Sequence, residues 1–128
     1  MQPQQPAPTA VVADDERLMR EQIIGRLKEA WPELVIVGEA SNGSEAIALV
    51  QSEEPDIVFL DISMPGMDGD DAVRQICQQH PVPFILVSAY SKPSCVPGDV
   101  HAVRWEYLTK PIQANRVLAV VRSLLKRD

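Results

Sequence analysis

The stretch 58-VFLDISMPGMDG-69 decides how the rest of the chain is read. Ile57 to Leu60 are apolar without polar alternation, β-branched and aromatic, and Asp61 follows them directly. Such a run suits a central parallel strand covered on both faces. Pro65, Gly66 and Gly69 then supply a turn. In open α/β sheets ligands bind outside the carboxyl ends of the strands. A carboxylate at that tip makes Asp61 the first candidate site residue.

Working outward, the pattern repeats. On the N-terminal side, 9-TAVVA-13 reads as a short buried strand and 35-VIVGEA-40, with Leu34 before it, as another. Between them Ile24, Leu27 and Trp31 fall on one helical face, and Pro32 closes that helix. A second helix follows, with Ser41 and Asn42 as cap candidates, Ala46, Leu49 and Val50 on its apolar face, and Pro55 at its end. On the C-terminal side, 69-GDDAVRQICQQH-80 reads as a helix with Val73, Ile76 and Cys77 inward. Then 83-PFILVS-88 and 103-VRWEYL-108 read as strands, and 113-QANRVLAVVRSLLKR-127 as a final helix built on Val117, Val120, Val121 and Leu124. Strands alternating with helices through short connections predict a parallel sheet with helices on both faces and right-handed crossovers. One segment resists. Pro93, Pro97 and Gly98 interrupt any long helix in 91–102, so the fourth helix is expected to be short or irregular.

Bulk properties narrow the function classes. At 128 residues the chain is expected to form one domain over 9–128, after a Pro- and Gln-rich disordered tail over 1–8. Twelve Lys and Arg against 18 Asp and Glu leave a net charge of −6, which argues against direct nucleic-acid contact and against anionic membranes. Cys77 and Cys95 lack metal-ligand spacing, and the N-terminus lacks the basic and apolar regions of a signal peptide. The expectation is a cytoplasmic protein.

In the predicted topology the ends of the first, third, fourth and fifth strands share one edge of the sheet. They bring together Asp14 and Asp15, Asp61, Ser88 and Lys110. Three carboxylates in one crevice repel each other unless a cation sits between them. A hard divalent ion with oxygen ligands answers this, and Mg²⁺ fits best because it accepts a few carboxylates, keeps waters and leaves room for a phosphoryl oxygen. Lys110 would offer a mobile positive charge and Ser88 a hydroxyl donor to an anion bound there.

These motifs, DD at 14 and 15, FLDISMPGMDG around Asp61, VSAY with Ser88, and YLTKP with Lys110 and Pro111, come in order, each after a strand. Over residues 9–126 the chain resembles the receiver domains of two-component response regulators. That resemblance implies a flavodoxin-like, doubly wound five-stranded parallel sheet of order 2-1-3-4-5. It implies that Asp61 accepts a phosphoryl group from a sensor histidine kinase or histidine phosphotransfer protein, with Lys110 and Ser88 assisting. Asp15 would bind Mg²⁺ directly, Asp14 mostly through water, and the backbone carbonyl of Ser63 would complete the protein ligands. The switch would run through Ser88, the N–H of Ala89 and the aromatic ring of Tyr107. Its readout would be the 94–126 face, and a phosphorylation-dependent dimer is compatible with it. Ser63 and Tyr90 beside the site are expected to tune the life of the acyl phosphate.

Each residue also has a bland reading. Asp14 and Asp15 could cap the first helix, Ser88 could satisfy backbone groups, Lys110 could be an ordinary solvated lysine, and Tyr107 a half-buried strand aromatic. The ordered set of motifs favours function. Trp31, Trp105, His80 and His101 read as packing or surface residues. Because no output domain follows Asp128, the expected role is a signalling receiver, not an enzyme on outside substrates, acting on a downstream protein partner. The alternative is the regulatory domain of a DNA-binding transcription regulator with a fused LytTR-type or helix-turn-helix output. A Mg²⁺-dependent phosphohydrolase would need an acid/base aspartate two residues after Asp61, where Ser63 stands.

Overall fold

Strand β3, Ile57–Asp61, is buried along its whole length, with Val58 and Leu60 packed into one apolar cluster and Ile57 and Phe59 into another. That division is the signature of a sheet covered on both faces. The structure, a computed structural model, describes residues 7–61, 82–88, 105–109 and 112–125. Around β3 lie β1 (Thr9–Ala13), β2 (Val35–Ala40), β4 (Phe84–Ser88) and β5 (Trp105–Thr109), with helices α1 (Arg17–Ala30), α2 (Gly43–Glu53) and α3 (Ala114–Leu125). All pairings are parallel, as the alternating pattern predicted, and the order is β2-β1-β3-β4-β5, as the family resemblance implied. The expected third helix over 69–80 and the irregular fourth over 91–102 lie outside the described residues.

One cluster joins α2 to the sheet through Ala46, Ile47 and Val50 against Val58, Leu60, Phe84 and Leu86. The other joins α1 and α3 through Ile23, Leu27, Val117 and Val121 against Val12, Phe59, Ile85 and Val87. The helical faces are slightly rotated from the predicted ones. On α1, Ile23 and Leu27 are buried, while Ile24 and Trp31 are only partly so. On α2, Ile47 is buried and Leu49 partly so.

Local chemistry sets the helix ends. The Asn42 side chain accepts the Glu45 N–H at 2.9 Å and caps α2, while the Glu45 carboxylate accepts the N–H and the hydroxyl of Ser41 at 2.7 and 2.8 Å. This is a reciprocal cap displaced by one residue from the usual box. Helix α2 ends at Glu54, left-handed at φ 48°, whose N–H bonds Val50 O. Where β2 passes α2, a Cβ on Gly38 would stand 2.8 Å from the end of the Leu49 side chain, so a larger residue there would have to push that leucine aside. Just before it the β1–β2 register slips, from Ala10 opposite Ile36 to Val11 opposite Gly38.

Candidate functional site

Register alone brings the acidic residues together. Ala13 pairs with Leu60, so Asp14, the next residue, leaves the sheet beside Asp61, the last residue of β3. Asp14 and Asp61 are buried at 0% and 2% exposure, and Asp15 is exposed. One carboxylate oxygen from each of the three lies within 4.8 Å of the others.

Two buried carboxylates so close are costly unless something compensates their charge. The spacing suits a shared ion, because two ligands at about 2.1 Å on one octahedral centre stand roughly 3 to 4 Å apart. The donors are all hard oxygens, which matches Mg²⁺ chemistry and is a poor match for soft metals. The cluster can therefore hold a divalent cation.

The turn carrying Asp14 is tied down from several directions. Its N–H continues the β1–β2 ladder to Ala40 O at 2.9 Å, and its Oδ1 accepts the Glu16 N–H at 2.9 Å. The helix-cap reading of Asp14 needs correction: α1 has Glu16 at its N-cap with no side-chain cap bond, and Asp14 closes a two-residue Asx turn instead. The backbone carbonyl of Asp14 accepts Arg20 Nη1 at 2.8 Å, and Arg20 Nε donates to Glu39 Oε1 at 3.0 Å. Sequence reasoning missed Arg20 and Glu39. They are 19 residues apart and belong to elements that meet only once β2 lies beside β1.

The remaining predicted residues fall as follows. Ser88 is the last residue of β4 and pairs with Thr109, while Asp61 pairs with Val87, so all three strands end at the same edge. Tyr107 is half-buried and packs against the cluster on the α2 face. The side chain of Ser88, and Ser63, Ala89, Tyr90 and Lys110 altogether, lie outside the described residues.

Comparison with known proteins agrees with this geometry. Residues 10–122 match the response regulator receiver domain. The chain is 40% identical over 117 residues to an uncharacterized response regulatory protein of Vibrio cholerae, covering 91% of this chain and 44% of that one. It is 35% identical over 117 residues to the chemotaxis protein CheY of Listeria monocytogenes, covering 91% and 97%. Among solved structures, a CheX–CheY–BeF3–Mg²⁺ complex from Borrelia burgdorferi matches with TM-score 0.77 at 25% identity, over 94% of this chain and 90% of that one. The chain spans about half the length of the first curated relatives it matches. Among the described residues no helix is long and apolar enough to cross a membrane. By its sequence match, its strand order and its acidic cluster, the chain belongs to the response regulator receiver domain family.

Proposed function

We propose that this receiver, comprising residues 9–128, takes a phosphoryl group on Asp61 from a histidine kinase or a histidine phosphotransfer protein and passes the signal to a partner. The observation that carries the reading is the Asp61 carboxylate, buried at the tip of a central strand within 4.8 Å of Asp14 and Asp15. In the transfer an Asp61 oxygen forms a bond to phosphorus. The bond from phosphorus to the donor imidazole nitrogen breaks, and its electron pair stays on that nitrogen. Such a transfer needs in-line positioning and charge neutralisation more than covalent help. Asp14, Asp15, Asp61 and the Ser63 carbonyl are the residues that would hold Mg²⁺, which when bound supplies charge neutralisation to the carboxylate and the incoming phosphoryl oxygens.

The chain's own residues do the rest. Asp61 is held almost wholly buried at the end of its strand, which fixes where its carboxylate meets the incoming phosphoryl group. Lys110 and the Ser88 hydroxyl would engage the other phosphoryl oxygens, with the Ala89 N–H as a further donor. That anion would bias Tyr107, which already packs half-buried on the sheet, between two positions and so alter the 94–126 face. The sequence match over residues 10–122 supports the reading, and no described residue favours a fused DNA-binding output over a protein partner. A cytoplasmic setting follows from the same reading, since the phosphodonors of this chemistry are intracellular.

The test is intact mass after treatment with acetyl phosphate and Mg²⁺. One added phosphoryl group is expected in the native chain and none in Asp61→Ala. Equal labelling of both would refute the assignment.

A further inference from the structure

We propose that Arg20 is a positioning residue for the metal-binding turn, acting through the backbone carbonyl of Asp14 and not through its own charge. The inference rests on the proposed role of the acidic cluster and adds a residue to it. Arg20 is the fourth residue of α1, at the end of its first turn, and its side chain is only 15% exposed. It donates Nη1 to the Asp14 carbonyl at 2.8 Å and Nε to the Glu39 carboxylate at 3.0 Å. Since the Asp14 N–H is bonded to Ala40, both peptide groups of Asp14 are tied to the end of β2, one directly and one through the guanidinium.

Two consequences of the arrangement oppose each other. A cation beside an acidic cluster weakens its hold on another cation, so on charge alone removal of Arg20 should tighten divalent binding. A fixed fork that sets the Asp14 backbone should do the reverse, because Mg²⁺ demands near-ideal octahedral geometry and tolerates misplaced ligands poorly. The surroundings decide in favour of geometry. The guanidinium charge is already paired with Glu39 and lies within Coulombic reach of Glu45. Its bond goes to the carbonyl of Asp14, not to the carboxylate. What reaches the cluster is therefore the placement of the turn.

The sign of the change separates the two. Mg²⁺ affinity is measured by calorimetry on the native chain, Arg20→Met and Arg20→Lys, with metal-free melting and amide exchange at Asp14 alongside. Lysine keeps the charge but cannot reproduce the two-pronged fork. Both variants should bind Mg²⁺ more weakly, by about tenfold, with faster exchange of the Asp14 amide and with acetyl phosphate labelling recovered at saturating Mg²⁺. Tighter binding in Arg20→Met, or native affinity in Arg20→Lys, would overturn the inference. If Arg20→Met fails to fold, Arg20→Lys decides alone. A native chain that does not bind Mg²⁺ would remove the proposed function itself, whereas native binding with unchanged variants removes only the role of Arg20.

Discussion

Replacing Asp61 by asparagine should make the metal-free domain more stable and nearly deaf to magnesium. The carboxylates of Asp14 and Asp61 approach within 4.8 Å and are 0% and 2% exposed. At an effective dielectric near 20, two unit charges that far apart repel by about 3 kcal/mol. Asp15, being exposed, adds a smaller, screened contribution. Asp61 also makes interactions of its own, which an amide keeps only in part. The expected net gain is thus on the order of 1 to 2 kcal/mol, or about 4 to 8 °C in melting temperature for a domain of this size. In the native chain, Mg²⁺ at 100 times its dissociation constant should add about 2.7 kcal/mol by mass action. Asp61→Asn, with one anionic ligand fewer, should gain much less, so the two melting curves cross as Mg²⁺ is raised. Thermal unfolding followed by circular dichroism, in chelator and across a Mg²⁺ series, measures both effects. If Asp61→Asn melts below the native chain in chelator and rises as steeply with Mg²⁺, the cluster is not the electrostatic centre inferred here.

Three further predictions concern the frame that carries the site. Gly25 lies exposed within α1 with nothing within 4 Å of a built Cβ, so Gly25→Ala should stabilise the domain by about 0.5 to 1 kcal/mol, measured by urea unfolding. Glu54 holds φ 48° at the end of α2, so Glu54→Gly should be neutral or stabilising by up to about 1 kcal/mol, and a clear loss would show that the left-handed residue is not strained. The pKa of Glu45 is lowered, first by the Ser41 N–H, then by the Ser41 hydroxyl and, more weakly, by Arg20, against a small opposing effect of burial. A depressed folded-state pKa means that its stabilisation is complete above the unfolded value, about 4.3, and is lost as pH falls through the lower folded value. The stability difference between the native chain and Glu45→Gln should therefore be constant near neutrality and shrink below pH 4, and a difference independent of pH would refute the cap.

The parts of the fold that could be read from the sequence are those with a period. β3 announces itself by an unbroken apolar run, and the structure splits that run evenly between two clusters. The alternation of elements then leaves few topologies, and the observed order is among them. The helical faces were legible only to within one or two positions. Choosing Ile23 over Ile24 on α1, or Ile47 over Leu49 on α2, requires knowing what each helix packs against, which is α3 and the sheet for the first and β1 and β2 for the second. The slip at Ala10 and Val11 and the close approach of Leu49 to Gly38 come from pairing and packing, which leave no periodic trace.

The same distinction explains the candidate site. Its acidic residues are visible because strand order turns two short motifs into one place. With β1 between β2 and β3, the residue after β1 must leave the sheet next to the last residue of β3. Any chain with aspartates at those two positions inherits the cluster and its repulsion, and only binding of a cation makes the cost useful. Arg20 and Glu39 are of another kind. They act on a backbone carbonyl, and a backbone carbonyl is present at every position, so nothing in the sequence marks which one needs a partner. Asp14 needs it because its turn must hold a carboxylate that its neighbour across the sheet repels. The clamp thus answers a strain that the strand order itself creates, which is why altering the clamp should be felt at the metal before it is felt in the fold.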